Sequence, residues 1–159
     1  QTLNVGIVWA GNPTHRNDRW RSCALEQFQP LFELPGITFY SLQKGDAAQV
    51  LRSQPDLPVV DLSDRLTDFV ETAAAIAQLD LVITVDTAVA HLAGTLGKPV
   101  WVLLAFAPDW RWIVNRDDSP WYPSLRLFRQ TQPSDWESVF AQVIPALRDR
   151  AAQVRPPAP

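Results

Sequence analysis

Residues 84–94 carry the clearest chemical pattern, because a short apolar run gives way there to a helical one. The pattern predicts a buried strand ending at Val85 and a slim helix beginning at Ala88. The first N–H groups of a helix have no partner within it and lie at the positive end of its dipole, so they can bind a diphosphate. An ordinary capped helix would show the same pattern. We assign Asp86 to the cap, with Thr87 as the other candidate, because a free carboxylate there would repel phosphate.

Residues 9–22 follow the first apolar run and are rich in groups that bind anions. Gly11 and Asn12, which precedes a proline, predict turns in this segment. A planar guanidinium group beside a helix N-terminus would suit a diphosphate. A solvated polar loop, with His15 simply exposed, is the alternative interpretation. The arginines of this segment are Arg16, Arg19 and Arg21.

Residues 41–45 follow the second apolar run and place Gln43 at the end of a predicted strand. The residue after the second strand of a nucleotide-binding sheet often contacts the ribose or the base. Gln43 is therefore a candidate for that contact. The alternative is that Lys44 and Gly45 merely form a turn.

Residues 105–124 form the longest irregular segment and contain three of the seven tryptophans. Aromatic side chains in a loop are usually buried beneath it or kept for recognition. Packing beneath the loop, stacking on a sugar and contact with another domain are the three interpretations. If the chain is one half of a larger enzyme, at least one of Trp110, Trp112 and Trp121 should be exposed.

Composition excludes several classes of function. The formal net charge of −3 gives no general attraction for nucleic acid, and no apolar run reaches the about 20 residues of a membrane span. Gly-x-Gly-x-x-Gly and Walker motifs are absent. One cysteine, Cys23, and two separated histidines predict neither a disulfide nor a metal site. We expect a cytoplasmic protein without a cofactor.

Short apolar runs alternate with helical patterns along the chain. The predicted strands are residues 5–9, 37–42, 59–62, 81–85, 100–104 and 125–129. The predicted helices are residues 24–34, 46–53, 67–79, 88–96 and 134–150. This alternation, with continuous apolar strands, predicts an α/β, Rossmann-like, three-layer domain with a mostly parallel sheet of about six strands.

We expect one domain over residues 1–150 and a flexible, proline-rich tail over residues 151–159. The chain contains no methionine and begins almost directly on its first apolar run. Both features favour a piece of a longer protein, and removal of a signal peptide would explain the same start.

Several motifs, in the same order, resemble glycosyltransferase family nine, which includes the ADP-heptose:lipopolysaccharide heptosyltransferases. The likeness spans the chain to about Leu147 and is closest to a branch in which the transferase follows tetratricopeptide repeats. The residues that carry it are Trp9-Ala10-Gly11-Asn12-Pro13, Asn17-Asp18-Arg19, Arg21-Ser22, Ser41-Leu42-Gln43-Lys44-Gly45, Asp86-Thr87-Ala88-Val89-Ala90-His91-Leu92-Ala93-Gly94, Leu96-Gly97-Lys98-Pro99-Val100, Pro108-Asp109-Trp110-Arg111-Trp112 and Trp121-Tyr122-Pro123.

The resemblance implies the carboxy-terminal half of a GT-B enzyme with inverting, metal-independent transfer. It implies backbone contacts to an ADP-, UDP- or GDP-linked sugar from Thr87, Ala88 and Val89, with His91 supporting that turn. Arg19 would pair with the diphosphate, and Asn12 belongs to the same binding set. Gln43 and Ala88 depart from the acid and the glycine that heptosyltransferases usually carry.

The resemblance also implies that the general base lies in an amino-terminal domain outside this chain, so no catalytic residue is assigned here. Two other functions remain open. One is a non-catalytic, transferase-like binding or scaffold module of a repeat protein. The other is a GT-B epimerase, which would need several carboxylates to converge on the sugar.

Overall fold

The computed structural model describes residues 2–154, which form one six-stranded parallel sheet with helices on both faces. The strands are β1 Leu3–Val8, β2 Ile37–Ser41, β3 Val59–Asp61, β4 Leu81–Val85, β5 Val100–Leu104 and β6 Leu125–Arg129. Their order is β3-β2-β1-β4-β5-β6, and every pairing is parallel. The strand order therefore reverses between β1 and β4, where such sheets bind ligands.

The helices are α1 Asp18–Arg21, α2 Gln29–Phe32, α3 Ala48–Arg52, α4 Phe69–Ala77, α5 Ala88–Thr95 and α6 Trp136–Val154, with 3₁₀ turns at Leu25–Phe28 and Trp110–Trp112. None of the helices within residues 2–154 combines the length and the apolar character that a bilayer crossing requires.

Alternate side chains of the central strands supply two separate cores. On β4, Leu81, Ile83 and Val85 point to one face and Val82 points to the other. The first face packs against α6 and the segment around α2, and the second packs against α4 and α5. A sheet covered on both faces needs apolar residues at every position, which is why the strands read as continuous apolar runs. The predicted three-layer α/β architecture is confirmed.

Differences from the predicted elements have local causes. The first strand ends at Val8 because the N–H of Trp9 donates to the side chain of Gln43 instead of a neighbouring strand. The predicted helix over residues 24–34 is divided, and Pro30 lies in the first turn of its second part, where a missing N–H is tolerated. Helix α6 continues to Val154 with Ala151 buried, four residues past the predicted domain boundary. The remaining predicted tail, residues 155–159, lies outside the described residues.

Candidate functional site

A cavity of about 1090 Å³ opens at the carboxyl edge of the sheet, between the loops that leave β1, β2, β4 and β5. This is the position that the reversal of strand order between β1 and β4 predicts. The predicted site residues that line it are Asn12, Gln43, Asp86, Thr87, Ala88, Val89 and His91. Arg19 is not among the residues of its wall.

The N-terminus of α5 opens into this cavity without a side-chain cap. Thr87 is the N-cap residue in an extended conformation, and neither it nor Asp86 accepts a hydrogen bond from the first turn. The Thr87 hydroxyl instead lies 3.0 Å from that of Thr84, which itself donates to the carbonyl of Val85. The capping role predicted for Asp86 is therefore wrong. The first N–H groups of α5 are left without a side-chain acceptor.

Asp86 instead lines the cavity, half-buried, next to that helix terminus. A carboxylate accepts hydrogen bonds and donates none when ionised, so it suits hydroxyl groups and repels phosphate. Asp86 and the α5 N-terminus thus present two different chemistries side by side.

The loop after β1 is organised by a network that faces the same cavity. The Ser22 hydroxyl accepts from the N–H of Gly11 at 2.9 Å and donates to Asp18 at 2.8 Å. Arg21 lies 3.5 Å from Asp18 and covers Gly11 so closely that a Cβ there would be 2.6 Å from the guanidinium group. A side chain at position 11 would therefore displace the guanidinium group of Arg21, which lines the cavity.

Arg19, in contrast, is exposed and extends its guanidinium group over the ring of Trp20 at 4.7 Å. Arg19, which the sequence offered as the phosphate-pairing arginine, therefore lies outside the cavity wall, and Arg21 and Arg111 are the arginines that line it. Arg19 and Arg21 are two residues apart in α1, so their side chains point to different sides of the helix. A helix of four residues is too short for its orientation to be predicted from the sequence.

Asn12 lines the cavity but also stabilises its own loop. Its side-chain oxygen accepts from the backbone N–H and from the hydroxyl of Thr14, at 3.0 and 2.8 Å. This is the turn that an asparagine at this position predicts.

Gln43 is buried at the point where β1 and β2 end, and its amide is fully used by the backbone. Its oxygen accepts from the N–H groups of Trp9 and Ala10, each at 3.0 Å. Its nitrogen donates to the carbonyl oxygens of Ala10 and Lys44, also at 3.0 Å. An amide has two donors and two acceptor positions, so none is left for the predicted ribose contact. Gln43 ties the two strand ends together beneath the cavity.

His91 is held by two parts of the loop over residues 105–124. Its ring stacks on Trp112, with 5.2 Å between centroids and 21° between planes. Its Nδ1 lies 3.1 Å from the hydroxyl of Tyr122. The sequence reasoning missed Tyr122, which also lines the cavity.

The three tryptophans of that loop divide between packing and exposure. Trp112 is 1% exposed, whereas Trp110 and Trp121 are 73% and 59% exposed. The indole N–H of Trp121 donates to the carbonyl of Arg111 at 3.2 Å, which holds the exposed ring in place. The expectation that at least one of them is exposed is confirmed, and both exposed rings lie at the cavity.

Other chemistry finds less support in residues 2–154. No group of three histidine, cysteine, aspartate or glutamate side chains in this range is placed to hold a metal ion. The Cys23 thiol is buried, and burial raises its pKa, so it is not an activated nucleophile.

Comparison with known proteins bears directly on the identity of the chain. The sequence model of glycosyltransferase family 9 (heptosyltransferase) matches residues 39–134. Protein FlbA of Caulobacter vibrioides is 31% identical over 153 residues, which are 93% of this chain and 25% of that protein. Escherichia coli ADP-heptose LPS heptosyltransferase II superposes with a TM-score of 0.58 at 17% identity, over 96% of this chain and 47% of that one.

The structural likeness shows a shared fold, and the chain spans about a quarter of FlbA and about half of heptosyltransferase II. The family match covers more than half of the sequence and includes Gln43, Asp86 and the first turn of α5, which line the cavity. The chain belongs to glycosyltransferase family 9.

Proposed function

We propose that this chain is the donor-binding half of an inverting, metal-independent glycosyltransferase, and that its cavity holds a nucleotide sugar by the diphosphate. The observation that carries the proposal is the uncapped N-terminus of α5 inside a cavity at the reversal of strand order. Free N–H groups at the positive end of a helix dipole bind phosphate without any bound metal.

The remaining groups of the wall suit the other parts of such a ligand. Arg21 supplies a cation whose planar fork matches phosphate oxygens. Asp86 is suited to accept hydrogen bonds from sugar hydroxyls, beside the diphosphate. A volume of about 1090 Å³ lies just above the usual range for small-molecule sites, which leaves room for an ADP-, UDP- or GDP-linked sugar.

Transfer itself needs a second half. Inverting transfer requires a general base to deprotonate the acceptor hydroxyl while other groups stabilise the leaving diphosphate. We infer that this chain supplies the second task and that the base comes from an amino-terminal domain of the same protein. Our assignment of the chain to the carboxy-terminal half rests on its resemblance to the family over residues 86–100, and its assignment to the branch that follows tetratricopeptide repeats rests on the motifs of residues 9–22. That the chain spans a quarter of FlbA agrees with a longer protein.

A nucleoside diphosphate is expected to stabilise the chain against thermal unfolding. Binding to the native state alone contributes about 1.4 kcal/mol when the ligand is tenfold above its dissociation constant. The panel is ADP, UDP, GDP and their sugars, each measured with EDTA and with Mg²⁺ by differential scanning fluorimetry. Equal shifts under both conditions would support metal-independent binding.

The unphosphorylated nucleosides are the matched control, because they lack the group that α5 binds. A null result across the whole panel would favour the alternative of a non-catalytic, transferase-like module. One observation favours that alternative, because the side-chain amide of Gln43 has no donor or acceptor left to hydrogen-bond a ribose.

Replacing Ala88 with aspartate is expected to change stability and binding in opposite directions. Ala88 is exposed in the first turn of α5, where a carboxylate stabilises the helix by about 0.3–1 kcal/mol. The same charge occupies the proposed phosphate position and should weaken diphosphate binding about tenfold. Urea unfolding and isothermal titration calorimetry measure the two effects.

Val70→Asp is the control, because Val70 is also exposed in the first turn of a helix, α4, and lies outside the cavity wall. That variant should leave binding unchanged. If Ala88→Asp binds the diphosphate as well as the wild type does, the phosphate does not lie at the N-terminus of α5.

A further inference from the structure

The contacts of His91 leave one ring nitrogen without a partner. Trp112 covers one face of the imidazole, and the Tyr122 hydroxyl lies at Nδ1, 3.1 Å away. No group in the described part of the chain makes a hydrogen bond to Nε2. His91 lines the cavity and is half-buried, one turn from the start of α5.

Tyr122 is itself held firmly. Its ring lies against the bare Cα of Gly94, where a Cβ would approach the ring carbons Cγ and Cδ1 to 2.7 and 2.8 Å. Its ring also meets the edge of the imidazole, with centroids 5.7 Å apart and planes inclined by 63°. Its carbonyl accepts from the N–H of Leu125 at the start of β6. The hydroxyl is therefore placed by the sheet as well as by α5.

We propose that Tyr122 is a positioning residue for donor binding, whose hydroxyl donates to Nδ1 of His91 and so holds the imidazole as the Nε2–H tautomer. The bond made by one ring nitrogen determines which nitrogen carries the proton. A phenol is a good donor and a weak acceptor, whereas an unprotonated imidazole nitrogen is a good acceptor, so this direction of the bond is favoured.

The Nε2–H then faces the cavity as a neutral donor, next to the N–H groups of α5. It donates to an anionic oxygen of the bound diphosphate and extends the phosphate seat by one hydrogen bond. The hydrogen bond to the diphosphate rests on the proposed function, whereas the assignment of the tautomer does not. The two parts are therefore tested by separate measurements.

The tautomer is read from the ¹⁵N chemical shifts of the imidazole nitrogens in the ligand-free chain, at mildly alkaline pH. The chain has only two histidines, so both are resolved in one spectrum. The wild type should show a protonated Nε2 and a hydrogen-bonded Nδ1 at His91. In Tyr122→Phe the Nδ1 signal should move and the Nδ1–H tautomer should gain population. His15, whose Nδ1 accepts from the N–H of Asn17 at 3.2 Å, is the internal control and should not change.

The second measurement is affinity. Tyr122→Phe should weaken binding of the nucleoside diphosphate about three- to tenfold, the scale of one hydrogen bond, and leave binding of the nucleoside unchanged. Gly94→Ala is a second variant, since its Cβ must displace the Tyr122 ring without removing the hydroxyl. It should reproduce the change at His91.

A wild-type His91 that carries its proton on Nδ1 would overturn the proposal, as would Tyr122→Phe spectra in which His91 does not change. Equal losses for nucleoside and diphosphate would overturn it as well, because Tyr122 would then act through the fold. If the wild-type chain binds no nucleotide, both the hydrogen bond from His91 to the diphosphate and the proposed function are contradicted. The NMR spectra still test the tautomer of His91 in that case.

Discussion

Replacing Gln43 with leucine is expected to lower the free energy of unfolding by about 3–4 kcal/mol. Leucine has a similar size but leaves the N–H groups of Trp9 and Ala10 without their acceptor. Each buried backbone group that loses its partner costs about 1–3 kcal/mol. Urea unfolding followed by tryptophan fluorescence measures the loss of stability. The loops that follow β1 and β2 at the cavity should also become more mobile.

Two further variants show whether the amide itself is responsible. Gln43→Glu keeps the acceptor for both N–H groups and loses the two donors, so its loss should be intermediate. Gln49→Leu replaces an exposed glutamine on α3 and should change stability by less than about 0.5 kcal/mol. If Gln43→Leu and Gln49→Leu are equally mild, Gln43 does not join the strand ends and is again available for the ribose.

Arg21→Ala is expected to weaken binding of a nucleoside diphosphate by about 1.5–3 kcal/mol, the range for charged hydrogen bonds. Arg21 lines the cavity, and its pairing with Asp18 at 3.5 Å is long enough to leave the guanidinium group available. Binding of the nucleoside should be unaffected. Calorimetric titrations of both ligands give the comparison.

Arg19→Ala is the matched control two residues away, and it should leave the diphosphate affinity within about twofold. Removing Arg21 also leaves the carboxylate of Asp18 without its partner beside the cavity, so Asp18→Asn is combined with it to separate lost attraction from added repulsion. A larger loss for Arg19→Ala than for Arg21→Ala would restore the assignment made from the sequence.

The strands could be predicted from the sequence because burial on both faces leaves a continuous apolar run. β4 and β5 have the predicted bounds for this reason, since Asp80, Asp86 and Pro99 interrupt the apolar pattern beside them. The bounds of the helices were harder to predict from the sequence, because short helices depend on tertiary contacts more than on the periodicity of their apolar residues. Pro30 is the one local signal for the division of the predicted helix over residues 24–34.

The site was predictable where the backbone provides the chemistry and not where side chains do. The turn after β4 places the N–H groups of α5 whatever the neighbouring side chains are. The direction of Arg19 and Arg21 depends on α1, whose only readable signal is the spacing of Asp18 and Arg21. The role of Gln43 depends on the short distance between the carboxyl ends of β1 and β2, which the local sequence pattern does not predict.

The place of β1 at the centre of the sheet also governs how the chain reaches its structure. Its second neighbour, β4, arrives only after a long loop closes, and the bond from the N–H of Asn4 to Asp80 spans 76 residues. Contacts so distant in sequence slow folding, because the entropy of loop closure is lost before the contacts form. Until β4 docks, β1 presents an unpaired apolar edge that can associate with other chains. Refolding yield should therefore fall steeply as the protein concentration rises.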